Sequence, residues 1–309
     1  LHPDDSYAGH YGSRGTYHAY AHGLELLAGH NPAAAQMAEG LLRGLDGEKQ
    51  ACFDDDRLVA HRVGNWIDAW IDWTGHTPAV SESDPPATTR YFPQAGLLVH
   101  RTDTTHTVVS AARGNVFKHF VSERSPWSDA GLLVQTTDGR TAASQVHDLE
   151  RDITFTPHDE TRRRDQCVAE IRIEGPLHWI SNERMTTGKL ILFRLATATV
   201  GRFCRGLLRR LLQRRLITGR RPAGLWLMRT VEVFEVSAID APLLRVTDTL
   251  RITDPRLRVQ RMAVGSDHET AYVAASGVYQ DAVLAPWLEL DEHVDELNRC
   301  RGTTIIRSN

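Results

Sequence analysis

The stretch "CVAEIRIEG", residues 167–175, alternates apolar and charged side chains: Ile171 and Ile173 are interleaved with Glu170, Arg172 and Glu174. A period of two sends successive side chains to opposite faces of a strand, so one face is buried and the other wet. The stretch "LLRVTDTLRI", residues 243–252, repeats the pattern. There Leu244, Val246, Leu250 and Ile252 alternate with Arg245, Thr247, Thr249 and Arg251. Half-buried strands of this kind belong to antiparallel sheets. Further apolar runs separated by short turns surround these two: "AGLLVHR", "THTVVSAA", "GNVFKHFV", "AGLLVQTTDGRTAASQ", "DITFTP", "KLILFRLAT" and "MRTVEVFEV". Asp138-Gly139 inside the fourth of them is a hairpin signal. On the order of 200 residues of strand pattern, without regularly interleaved helices, favour a large antiparallel β-sandwich over a parallel α/β sheet.

Upstream of the strands the period changes. "NPAAAQMAEGLLRGLDG" offers Asn31 as N-cap, Pro32 at the first helical position and Met37, Leu41 and Leu45 on one face, with Gly44 and Gly47 to end the helix. "VAHRVGNWIDAWIDW" places Val59, Val63, Ile67, Trp70 and Ile71 on one side and His61, Asn65, Asp68 and Asp72 on another. The expectation is a buried apolar face with a polar stripe outside. Pro78, Pro85 and Pro86 then fall in a Ser/Thr-rich connection that neither period fits. The division expected is a helical part over 1–76, a linker over 77–90 and a strand domain over 91–309.

The chain of 309 residues has 41% hydrophobic and 24% charged residues and a net charge of −3, an ordinary balance that points away from nucleic acid as a partner. Cys52, Cys167, Cys204 and Cys300 are far apart and form no zinc-knuckle or redox spacing. No apolar run is long enough for a transmembrane helix. There is no Gly-x-Ser-x-Gly elbow, phosphate loop or dinucleotide fingerprint. Charge is nevertheless uneven. Between Glu183 and Glu232 there is no acidic residue, while Arg202, Arg205, Arg209, Arg210, Arg214, Arg215, Arg220 and Arg221 accumulate around Phe203, Leu207, Leu211 and Leu212. This reads as a basic amphipathic helix inserted near 200–218. Its leucines fit packing on the sandwich, and the segment 202–221 also suits a peripheral membrane or protein contact.

The stretch "SYAGHYGSRGTYHAYAHG", residues 6–23, concentrates tyrosine, histidine and glycine. A helix from Gly15 would set Tyr17 beside Tyr20, and His18 beside His22 on another face. Tyr7, His10, Tyr11 and Arg14 precede it in a glycine-punctuated loop, where functional groups concentrate. The His18/His22 pair alone is too small a set for a metal site.

Two stretches resemble the heparinase II/III-like group of α/α-toroid polysaccharide lyases: "PDDSYAGHYGSRGTYHAYAHGLELL" is similar to a late toroid turn leading into an aromatic helix, and "YFPQAGLLVHRTDTTHTVVSAARG" to the first sandwich strands. The order of helices, Pro-rich linker and strands resembles that group as well. The resemblance implies an incomplete α/α-toroid helical segment followed by a large antiparallel β-sandwich. It implies a carbon–oxygen lyase acting on a uronic-acid polysaccharide by β-elimination, without a redox cofactor, though a structural divalent metal is compatible with it. The C5 proton next to the uronate carboxylate is weakly acidic, so such chemistry needs a group to neutralise that carboxylate, a base and an acid. On that basis Tyr11, His18 and His119 are the catalytic candidates. Tyr7, Arg14, Tyr17 and Asn65 are the substrate-binding candidates. Two departures stand out. The group's His-x-His-Ala-Asp string has as its nearest counterpart "VFKHFVSERSPWSDAG", with Lys118, His119 and Asp129, and the helices are too few to close a toroid. The departures favour an alternative, a non-catalytic protein that binds or helps assemble acidic polysaccharide on the same architecture. A chain starting at Leu1 is read as a piece of a longer one, and its compartment, periplasmic or cytoplasmic, stays open.

Overall fold

The computed structural model describes residues 21–46, 56–73, 87–122, 124, 126–145, 151–158, 167–180, 191, 221–235, 243–265 and 288–309. Helices α1 (Ala21–Ala28), α2 (Pro32–Asp46) and α3 (Asp56–Ile71) come first. Fourteen strands follow among the described residues: β1 (Thr88–Phe92), β2 (Leu97–Arg101), β3 (Thr105–Ser110), β4 (Val116–Val121), β5 (Trp127–Asp129), β6 (Leu132–Thr136), β7 (Thr141–Ala143), β8 (Asp152–Pro157), β9 (Cys167–Ile180), β10 (Pro222–Phe234), β11 (Leu244–Ile252), β12 (Val259–Val264), β13 (Leu288–Glu289) and β14 (Gly302–Ser308). A fourth helix, α4 (Val294–Cys300), precedes β14.

The toroid expectation is overturned. The chain is mostly β, and α1, α2 and α3 have only 8, 15 and 16 residues. No repeating set of long helical hairpins is present among the described residues; α1 packs on both α2 and α3 in one small unit. Locally α2 forms as its sequence dictates, with the Asn31 Oδ1 accepting the Ala33 N–H at 2.9 Å. The expected strand "KLILFRLAT" and the Arg-rich insertion lie outside the described residues, except that Ile191 is helical and Arg221 is exposed ahead of β10.

The strands form two curled antiparallel sheets. One is a five-stranded meander in chain order, β1 to β5; the other runs β13-β12-β6-β7-β9-β10-β11-β14, with β8 also paired to β9. Because β9 is 14 residues long, β8 and β7 pair with different halves of the same edge of it. Alternation decides what each sheet buries. Ile171, Ile173, Leu225, Leu227, Val231, Val246 and Leu250 from the larger sheet share one core with Leu98, Val109 and Phe117 from the smaller. Asn115 joins the two. At a positive φ of 55°, its Nδ2 donates to the carbonyls of Ile171 and Arg229 at 3.0 and 3.1 Å.

The last described helix bridges the larger sheet. α4 packs on β11, β12 and β14, thus touching strands near both ends of the sheet order. Asn298 clamps Val259 with paired bonds, accepting its N–H at 2.9 Å and donating to its carbonyl at 2.8 Å. Thr303 donates to Glu296 at 2.7 Å, tying the helix to the strand that follows it.

Candidate functional site

Of the residues singled out from the sequence, Tyr7, Tyr11, Arg14, Tyr17 and His18 lie outside the described residues. Asn65 sits in the contact between α3 and α1, where its Oδ1 accepts the backbone N–H of His22 at 3.4 Å. His119 sits in the core of the sheets, so the structure places these two in different surroundings.

His119 faces inward because of its register. Thr89, His100, Thr107, His119 and Trp127 stand directly opposite one another on successive strands and therefore share a face. It is the face that carries Leu98, Val109 and Phe117, two residues along. The Thr107 hydroxyl and the His119 Nδ1 are 2.7 Å apart, and Thr89 meets the His100 Nδ1 at 2.9 Å. The Nε2 atoms of both rings are buried without a hydrogen-bond partner among the described residues. Burial, reinforced by the neighbouring His100 and His106, lowers the His119 pKa to about 4. The ring is therefore neutral near pH 7. Lys118 points to the opposite face and is buried there, its Nζ 5.4 Å from the Phe120 ring.

A charge cluster, fully buried except for Arg307, lies beneath the same sheets. The Arg229 guanidinium holds Asp248 in a fork, Nε to Oδ1 at 2.5 Å and Nη2 to Oδ2 at 2.9 Å, and donates from Nη1 to the Asp129 Oδ1 at 3.0 Å. Arg307 completes it, with Nη2 2.8 Å from both the Asp129 and Asp248 Oδ2 atoms. Burial alone would raise the Asp129 pKa, but Arg229, Arg307 and the Gly131 N–H together bring it down to about 2. Burial opposes the charge on Arg229 in the same way, and the two aspartates outweigh it and raise its pKa. Two carboxylates against two guanidiniums, with no exposure at Arg229, Asp129 or Asp248, make a structural junction rather than a reactive centre. A sequence signal for it exists. Arg229 and Asp248 occupy the buried register of alternating strands and are direct cross-strand partners.

The outward face of β8, β9, β10, β11 and β14 is the open one. Its cross-strand rows are set by register: Trp226 opposite Arg251; Asp152, Glu174, Met228, Thr249 and Thr304; Thr154, Arg172, Thr230, Thr247 and Ile306. Trp226 is 39% exposed although it is the largest side chain on the face. Its indole is oriented by a bond from Nε1 to the Glu174 Oε1 at 3.0 Å, and Arg172 holds Glu174 at 3.1 Å from the other side. Those two bonds, the Trp226 one being the larger, lower the Glu174 pKa, so it stays ionised. The resulting arrangement has an aromatic plate on β10, a carboxylate edge on β8 and β9, and a guanidinium on β11.

Among the described residues, no three or more His, Cys, Asp or Glu side chains are grouped to hold a metal ion. No described helix is long and apolar enough to cross a membrane. No family model, curated protein or solved structure matches the chain.

Proposed function

We propose that this chain binds an acidic, uronate-containing polysaccharide on the outward face of β8 to β11 and β14. The observation that carries this reading is the exposed Trp226 ring, fixed by Glu174 and directly opposite Arg251. An indole offers a flat apolar plate to the less polar side of a sugar ring while its polar edge stays bonded. Guanidinium is the side chain best shaped to bind a carboxylate in two parallel bonds. Side chains directly opposite on neighbouring strands have Cβ atoms roughly 5 Å apart, so plate and fork can engage one sugar unit together. Orientation follows from charge. Glu174 and Asp152 repel the uronate carboxylate and accept its hydroxyls, so the carboxylate turns toward Arg251. Rows of threonine on β10, β11 and β14 supply further donors and acceptors along the face. Nothing in this reading uses His119, which is buried away from a polymer.

The test is calorimetric titration with oligosaccharides of polygalacturonate, alginate and hyaluronan, alongside neutral oligosaccharides of equal length. The acidic ligands should bind, Trp226→Ala should abolish binding, and Arg251→Met should remove the preference for acidic over neutral chains while leaving the unfolding midpoint unchanged. Wild-type affinity in both variants, or no binding by the unmodified chain, would overturn the reading. Appearance of the ultraviolet absorbance of an unsaturated uronate in the same mixtures would mean that the chain cleaves rather than merely binds.

A further inference from the structure

One end of the larger sheet carries a concentration of unpaired positive charge. Because the strands are antiparallel, the start of β10, the end of β11, the start of β12 and the start of β14 meet there. Arg221 precedes β10, Arg251 is the penultimate residue of β11, Arg256 and Arg258 lie in the β11–β12 turn, and Arg299 and Arg301 stand at the junction of α4 with β14. All but the half-buried Arg301 are exposed. None is paired with a carboxylate among the described residues. Arg301 donates instead to the backbone carbonyls of Leu257, at 3.1 Å, and Asp254. The carboxylates at this end are already engaged: Asp138 pairs with Arg140 at 2.6 Å, Asp254 accepts the Arg256 N–H at 2.9 Å, and Glu296 accepts from Thr303. Elsewhere on the sheet surface Arg172 is paired with Glu174, Arg245 with Glu232 and Arg261 with Glu289.

The turn that carries Arg256 and Arg258 is fixed next to the Trp226 plate. The Gly224 carbonyl, two residues from Trp226, accepts the N–H groups of Thr253 and Asp254 at 2.9 and 3.2 Å. Gly224 permits this approach: at its φ of 71° a Cβ would lie 2.7 Å from the Asp254 Cβ. Arg251 connects the two regions, since it stands opposite Trp226 on one side and opposite Gly302, the neighbour of Arg301, on the other. Clustered guanidiniums repel one another and concentrate anions around them, so a polyanion laid across them is held at several points at once. Each offers a two-pronged fork for a carboxylate. We propose that the acidic polysaccharide leaves the outward face past Trp226 and crosses the β11–β12 turn, where Arg221, Arg256, Arg258 and Arg299 take further uronate carboxylates. This rests on the reading of Trp226 and Arg251 as a sugar site and adds a length requirement to it. From Trp226 to Arg221 the strand advances about 15 Å, a span of several sugar units. The ligand is therefore a run of consecutive acidic units, not a neutral chain with a single uronate. Toward the opposite end of the sheet Glu170 and Glu232 share a row with one arginine, Arg245, so charge also sets the direction in which the chain runs.

The experiment is calorimetric titration of the full chain with purified oligogalacturonates of increasing length at low and physiological salt, repeated with Trp226→Ala and with Arg256→Gln/Arg299→Gln. The Arg256 and Arg299 side chains are exposed and hold no other group in place, so the double variant should keep the parent's unfolding midpoint. In the parent, affinity should rise several-fold with ligand length and fall with salt more steeply for long ligands than for short ones. The double variant should lose several-fold affinity for the long ligands, together with the steeper part of their salt dependence, while short-ligand affinity stays unchanged. Affinity independent of length, or long-ligand binding that the double variant leaves as tight and as salt-sensitive as in the parent, would overturn the proposal. The plate reading fails separately, by short-ligand binding that survives Trp226→Ala, and absence of binding at every length sinks both. Tighter binding of duplex DNA or phosphatidylglycerol vesicles through the same two arginines would overturn the proposal as well, because it names a different polyanion.

Discussion

Arg229→Met tests the buried charge cluster most directly. Methionine fills much of the space but removes three charge-assisted hydrogen bonds, two to Asp248 and one to Asp129, and leaves two buried carboxylates with Arg307 alone. Removing one partner of a buried ion pair costs about 3–5 kcal/mol, because the remaining charge is desolvated without compensation. A second handle on the size comes from Asp129. Its pKa falls from an ordinary 3.8 to about 2 in the folded protein, which corresponds to about 2 kcal/mol of stability from that one carboxylate. A depressed carboxylate contributes fully above its unfolded pKa, and the contribution is lost as pH falls from about 4 toward 2. In Arg229→Met the sign reverses. With one cation left for two buried carboxylates, protonating one of them relieves the variant, whereas acidification weakens the parent. Urea unfolding followed by tryptophan fluorescence should therefore show the variant less stable by about 3–5 kcal/mol at pH 7, and a clearly smaller gap at pH 4. A loss below about 1 kcal/mol, or a gap that is the same at both pH values, would refute the account of a desolvated, mutually dependent cluster.

Two further outcomes follow from the sheets. His106 and His119 both have pKa values lowered by burial to about 4, so the folded protein resists protonation that the unfolded chain accepts; stability should be flat above pH 6.5 and fall between 6.5 and 4, with a shallower fall in His119→Gln. Gly114 and Gly139 have nearly the same positive φ, 80° and 78°, but a Cβ at Gly114 would lie 2.4 Å from the Ser144 carbonyl oxygen while one at Gly139 meets open space. Gly139→Ala should therefore cost about 1 kcal/mol, and Gly114→Ala distinctly more, read as unfolding midpoints.

The alternation that opens β9 was legible from residues alone: Ile171 and Ile173 are buried, and Glu170, Arg172 and Glu174 lie on the wetter face. The Asp138-Gly139 turn does join β6 and β7, with Gly139 at positive φ. Short-range rules suffice there because strand period and turn chemistry are local. The helical unit was misread for the opposite reason: Ile67, Trp70 and Ile71, expected on the buried face of α3, are exposed. Amphipathicity states that α3 has two faces, and which face meets α1 depends on His22, a partner some fifty positions away. The toroid expectation extended a likeness in wording to an architecture that three short helices do not build. His119 shows the limit for sites, since its strand was evident but the buried direction depended on β1 to β5 pairing in register. The Trp226 and Arg251 pair was invisible as a site for a related reason. Each residue is ordinary on a wet strand face, and only the pairing of β10 with β11 sets them opposite each other.

The four charges of the buried cluster come from β5, β10, β11 and β14, so its neutrality is assembled from widely separated parts of the chain. While β14 is undocked, two aspartates face one arginine, and the core carries an uncompensated negative charge. Docking of β14 brings Arg307 and restores balance, which rewards the correct edge strand electrostatically and disfavours a strand that offers no cation at that register. Because β14 lies at the edge of the larger sheet, the cluster also pins from within the strand that would otherwise be freest to fray. The arginine at position 307 thus acts as a register key, making the last sheet pairing conditional on contacts formed some 180 residues earlier in the chain.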